Sequence, residues 1–105
     1  SFPTRRSSDL KYGIKMTSQF KRDLKLAKKR GCDISQLESV VEMIAAGDKT
    51  EELKLLYDDH ELHGNWSKHR ELHIEPDWLL IYRLFDEVLV LSLVRTGTHS
   101  DLFNK

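Results

Sequence analysis

Hydrophobic positions change their spacing several times along this chain, and each change marks a new element. Tyr12, Ile14 and Met16 alternate with Gly13 and Lys15, which predicts a short strand. Phe20, Leu24 and Ala27 then recur at helical spacing. A helix is expected from Thr17 or Ser18, either of which can cap it, to about Arg30, with Gly31 as its stop. Leu37, Val40, Val41 and Ile44 give an i, i+3, i+4, i+7 stripe for a second helix ending at Gly47. Asp33 and Ser35 open that helix, and Ser35-Gln36-Leu37-Glu38 fits a capping box. From Asp48 to Asp59 the pattern weakens. Leu53, Leu56 and Tyr57 suit either a short helix or an irregular connection reaching the core.

After Trp66 the period falls to two. Leu72 and Ile74 alternate with Glu71, His73 and Glu75, and Glu75-Pro76-Asp77 reads as a turn. Trp78 to Phe85 is an almost unbroken apolar run, expected as a central strand. Asp86-Glu87 makes the next turn, and Val88 to Val94 is expected as another buried strand. Tight turns between three strands predict an antiparallel meander. Short helices gain little stability alone, so the two helices are expected to pack as a hairpin on one face of the sheet. The fold class is α+β.

Length changes this picture little: 105 residues make one domain with one modest core. With 39% hydrophobic and 32% charged residues the chain is ordinary for a soluble protein. No apolar run approaches the ~20 residues of a membrane span. Cys32 stands alone, which excludes an internal disulfide and any multi-cysteine zinc motif and makes the cytoplasm the expected compartment. Ser1 to Leu10 has no periodicity, ends in Ser7-Ser8-Asp9-Leu10, and resembles the translation of a sequencing adapter. It is expected to be an irregular scar, leaving 11–105 as the domain.

Seventeen basic and seventeen acidic residues cancel, so any nucleic-acid partner must be read from local charge. The first helix is basic, with Lys21, Arg22, Lys25, Lys28, Lys29 and Arg30 against Asp23. Those cations suit a solvated face near the helix C-terminus or, as a patch, a phosphate-binding surface. The second helix and the 48–61 stretch are acidic, which points them away from RNA.

All five histidines lie between His60 and His99, with both tryptophans. Alternation puts His73 opposite Leu72 and Ile74, on the face of the sheet away from the helices. Asp77, across the proline turn, is expected to orient His73. His99 follows Gly97, where the chain can turn back over that face, and Gly64 can fold His60 inward. Converging imidazoles suit metal-free cleavage of a ribonucleotide: a base takes the 2′-hydroxyl proton, an acid protonates the leaving 5′-oxygen, and cations hold the phosphorane. Arg70, Arg83 and Arg95 are candidates for the last role. His63 and His69 are assigned to structure or solvent. A zinc reading of the histidine pairs is disfavoured, because structural zinc usually draws on cysteine and i, i+4 histidines on a strand stand far apart.

Three motifs carry a family resemblance. They are Asp59-His60-x-Leu62-x-Gly64-x-Trp66; Arg70-Glu71-x-His73-Ile74-Glu75-Pro76-Asp77-Trp78; and Arg95-Thr96-Gly97-Thr98-His99-Ser100-x-Leu102-Phe103. In this order and spacing the chain resembles the YafQ-type toxins of the RelE/ParE superfamily from Tyr12 to Phe103. The resemblance implies a RelE-like fold and a ribosome-dependent endoribonuclease that cuts mRNA in the A site. It implies no cofactor and a neutralising antitoxin, expected to be of ribbon-helix-helix type. It implies functional roles at His60, His73, Asp77, Trp78, His99 and Phe103. His99 is expected as general acid, His73 as base and His60 as a partner in either role or a phosphate ligand. Trp78 and Phe103 are expected to shape the site or stack on a base, and Lys21 to Arg30 to contact rRNA. His69 departs from the aromatic residue common at its place, and the neutral net charge departs from what ribosome docking favours. A ParE-like gyrase poison is the alternative function. A protein-binding module on a degraded toxin fold and a metal hydrolase are more distant rivals.

Overall fold

The computed structural model describes residues 10–103. Strand β1 (Gly13–Met16) leads into helix α1 (Ser18–Lys29), followed by α2 (Ile34–Ala46) and α3 (Thr50–Tyr57). A two-residue strand β2 (His60–Glu61) and a 3₁₀ turn (Gly64–Trp66) precede β3 (Arg70–Glu75), β4 (Trp78–Phe85), β5 (Val90–Gly97) and a short α4 (His99–Phe103). The sheet order is β1-β5-β4-β3-β2, antiparallel throughout except for β1, which runs parallel to β5. The α+β class and the β3–β4–β5 meander are as the hydrophobic pattern predicts. Among the described residues no helix is long and apolar enough to cross a membrane. The segment set apart at the N-terminus lies outside the described residues except for Leu10, which packs against the core.

Helices α1, α2 and α3 cover one face of the sheet. Phe20 of α1, Leu37, Val40, Val41 and Ile44 of α2, and Leu53 of α3 pack against Leu72, Ile74, Leu80, Tyr82, Leu91 and Leu93. Burial of this surface drives the fold, at roughly 25 cal/mol per Å² of apolar area removed from water. β4 is central and apolar on both faces. Its even-numbered residues from Trp78 to Tyr82 join the helix-side core, while Leu79 and Ile81 join a second cluster with Leu102 on the opposite side.

Thr17 is the α1 cap: its Oγ1 accepts from the Phe20 amide at 3.0 Å and donates to the Val94 carbonyl at 2.9 Å, pinning the helix start to β5. At α2 the capping-box expectation fails. Asp33 is the cap and accepts from the Ser35 amide at 3.1 Å, so Ser35 already lies in the first turn. A carboxylate two residues upstream of Ser35 reaches the free amides first. Gly47 closes α2 with φ +83°, where a Cβ would meet Lys11 at 2.7 Å. Residues 50–57 settle as helix, with Leu53 buried, but Leu56 is 69% exposed and does not reach the core.

The last strand is shifted relative to its sequence signal. Val88 and Leu89 belong to the turn, and Leu89 takes φ +54°. β5 runs on through the polar residues Arg95 and Thr96 because β4 offers backbone partners as far as Leu79↔Gly97. A register shift between Ile81 and Tyr82 leaves Val94 as an extra residue and redirects the side chains from Arg95 onward.

Candidate active site

Three imidazoles form a row across the face of the sheet away from α1–α3. His73 stands in the middle of β3, with its ring centroid 6.2 Å from that of His60 and 5.7 Å from that of His99. Each is placed by a different element: β3 fixes His73 by alternation, the β2–β3 pairing sets His60 opposite Glu71, and α4 begins at His99. The return of the chain at α4 depends on Gly97. A Cβ there would stand 2.9 Å from Asp101 Oδ2, whose carboxylate accepts from the Thr98 amide at 3.0 Å. The predicted convergence of His60, His73 and His99 is therefore present.

The carboxylate partners differ from expectation. Asp77 serves His99, not His73: its Oδ1 accepts from the His99 amide at 2.9 Å and lies 2.6 Å from His99 Nδ1. These two bonds, the backbone one first, hold the Asp77 carboxyl below the usual carboxylate range. The β3–β4 turn carries Asp77 past the end of β3 and toward α4, so it cannot fold back on His73. With Nδ1 donating to Asp77, Nε2 is the ring nitrogen of His99 not engaged by that carboxylate.

His73 Nε2 lies 3.6 Å from Glu71 Oε1 and 3.7 Å from Asp58 Oδ2. His60 Nε2 lies 3.2 Å from the same Glu71 oxygen, and His60 Nδ1 donates to the Asp58 carbonyl at 2.7 Å. Glu71, with a side chain only 7% exposed, is thus shared by two imidazoles. Sequence reasoning assigned no role to Glu71 or Asp58, although the i, i+2 spacing from Glu71 to His73 on one strand places both on one face.

The predicted cations do not converge on this row. Arg70 lies on the helix side, its Nε donating to Asp59 at 2.7 Å, and Asp59 also accepts from the Tyr82 hydroxyl. Burial first, and then the Asp59 charge, push the Tyr82 phenol far above its ordinary range. The one-residue offset from Glu71 is enough to put Arg70 on the opposite face. Arg95 is taken up by Asp23 of α1, gripped through Nε and Nη2 at 2.8 and 3.1 Å. Arg83 remains on the histidine side, stacked over the Phe85 ring at 4.3 Å.

Trp78 is buried in the helix-side core and donates its indole N–H to Thr96 Oγ1 at 3.0 Å. Phe103 is half-buried on the histidine side, edge-on to Trp66 at 6.4 Å. His69 contacts Trp66 edge-on at 5.4 Å, and neither His63 nor His69 enters the imidazole row. Lys21, Arg22, Lys25, Lys28 and Lys29 are all exposed on α1. Arg30 is bound to Asp101 at 2.7 Å and leaves the free patch.

A model of the family described as bacterial toxin of type II toxin-antitoxin system, YafQ, matches residues 12–104. The chain is 41% identical over 90 residues to the mRNA interferase toxin YafQ of Escherichia coli K12, covering 86% of this chain and 94% of that relative. Its fold matches the crystal structure of YafQ from E. coli BL21(DE3) with a TM-score of 0.78 and 39% identity, over 88% of this chain and 98% of that one. It matches YafQ in the E. coli DinJ-YafQ toxin-antitoxin complex with a TM-score of 0.76 and 39% identity, over 90% and 99%. Motif order, sheet order and these likenesses agree, and the chain belongs to the YafQ family of type II toxin-antitoxin toxins.

Proposed function

We propose that this chain is an mRNA interferase, a ribosome-dependent endoribonuclease that cuts mRNA in the A site and is held in check by a protein antitoxin. The observation that carries the reading is the imidazole row, with His73 and His99 centred 5.7 Å apart and only His99 backed by Asp77. A phosphodiester between the two rings meets a base on one side and an acid on the other. His73 takes the 2′-hydroxyl proton, the 2′-oxygen attacks phosphorus, and His99 Nε2 gives a proton to the departing 5′-oxygen. The products are a 2′,3′-cyclic phosphate and a 5′-hydroxyl. Asp77 stabilises the charged form of His99 and fixes its ring. His60, beside Glu71, is the third imidazole, and it binds the phosphate from the other side of His73. No step in this scheme needs a metal.

The exposed lysines of α1 supply the docking surface for rRNA. The complex of a relative with DinJ supports a protein antitoxin for this chain as well. A gyrase poison would leave the imidazole row without a task. The test is cleavage of ribosome-bound mRNA with a chelator selective for transition metals, Mg²⁺ being kept to preserve the ribosome. Cutting should persist and yield a 5′-hydroxyl end. A 5′-phosphate, or activity lost in chelator and restored by zinc, refutes the mechanism.

A further inference from the structure

A cavity of about 350 Å³ opens behind the His99–Asp77 pair, between α1 and the end of β5. Ala27 and Trp78, both buried, and Leu26, 41% exposed, supply apolar lining. Two arginines line it, yet both are already committed. Arg95 is held by Asp23, and Arg30 by Asp101 through Nη1 and Nη2 at 2.7 and 3.3 Å. Two carboxylates keep unused capacity. Glu75 is exposed, and Asp77 gives only Oδ1 to His99, so its Oδ2 has no partner among the described residues. Four acids against two arginines leave the lining with a formal charge of minus two.

The geometry points to a subsite for an alkyl chain that ends in a cation: the side chain of an arginine or lysine on a bound protein. The aliphatic stem lies along Leu26, Ala27 and Trp78, and the head group reaches Asp77 Oδ2 and Glu75. An RNA phosphate is repelled by the same charge, which separates this cavity from the lysine face of α1. The consequence is mechanistic. A guanidinium on Asp77 Oδ2 draws charge away from Oδ1, and so acts on the general acid from behind while the imidazole row stays open. This rests on the proposed function, in which a protein antitoxin binds the chain: the antitoxin can silence His99 without entering the cleft.

The test is a set of NMR titrations of the intact chain with n-butylguanidinium, methylguanidinium and adenosine. Saturable shifts are expected with n-butylguanidinium at the Ala27 and Thr98 amides, the Trp78 indole N–H and the His99 imidazole. Methylguanidinium, which lacks the stem, should bind more weakly, and Glu75→Gln should weaken n-butylguanidinium by about two- to fivefold, the factor of one exposed ion pair. Absence of saturable shifts overturns the assignment, as does unchanged affinity in Glu75→Gln. Equal or tighter binding of adenosine at the same resonances also overturns it and makes the cavity a nucleobase site. Cleavage is not read in these titrations, so their failure leaves the nuclease reading standing, and an inert nuclease leaves the cavity testable.

Discussion

One oxygen of Asp77 accepts both the backbone N–H and the Nδ1–H of His99, at 2.9 and 2.6 Å. The two residues are 22 positions apart, on the β3–β4 turn and the first turn of α4. The acid of the proposed reaction is therefore oriented by a turn that belongs to the meander.

Asp77→Asn tests that arrangement. The amide can still accept from the His99 backbone, but it no longer favours the charged imidazole. Cleavage should fall by about 10–10²-fold, less than the full contribution of an acid catalyst, with ribosome binding unchanged. Asp77 is 64% exposed at its side chain, so the melting temperature should barely move. Wild-type cleavage rates in this variant remove Asp77 from the mechanism.

Removing the acid and removing the docking charge should fail at different steps. His99→Ala is expected to lose about 10²–10⁴-fold in cleavage while still binding ribosomes. Lys25→Glu with Lys28→Glu should keep the imidazole row intact but bind ribosomes more weakly, with a flatter salt dependence because phosphate contacts and their released counterions are lost. Sedimentation with ribosomes separates the two. Equal loss of binding in both variants contradicts the division of labour.

Arg70 is predicted to matter for folding and not for substrate. Its partner Asp59 has a side chain only 3% exposed, and Tyr82 shares that carboxylate. Arg70→Ala leaves a buried charge short of a partner and should cost about 1–3 kcal/mol of stability. Chemical denaturation measures this directly. A stable Arg70→Ala protein with a raised KM for mRNA would instead return Arg70 to the substrate.

Tyr12 provides a pH signature far from the cleft. Its hydroxyl donates to Asp86 at 2.5 Å, and this bond, followed by burial, raises the phenol to about 12. The folded value lies above the unfolded value of about 10. The bond's contribution is therefore complete below pH 10 and disappears as pH rises through about 12. Absorbance titration should show one phenol near 12 that drops toward 10 in Asp86→Asn. A wild-type chain whose phenols all titrate near 10 contradicts the bond.

Much of the fold was present in local pattern. The stripes Phe20–Ala27 and Leu37–Ile44 named the helical core, and the run Trp78–Phe85 named the central strand, because burial against a sheet imposes those periods on any sequence. Alternation alone placed His73 opposite Leu72. It also holds Glu71 on the histidine side and Arg70 on the other, so the same period that placed His73 turns Arg70 away from the imidazole row.

The tertiary structure decided what depends on residues distant in sequence. β1 pairs parallel with β5, a choice that nothing local in Gly13–Met16 encodes. The bulge at Val94 is a mismatch between two strands, and Arg95 is claimed by Asp23, 72 residues away, a partner no local pattern names. The partnership of Asp77 with His99, rather than with its sequence neighbour His73, is of the same kind. A strand's period fixes which face a side chain occupies. Its partner depends on which other segment the whole fold brings within about 3 Å, the reach of a hydrogen bond.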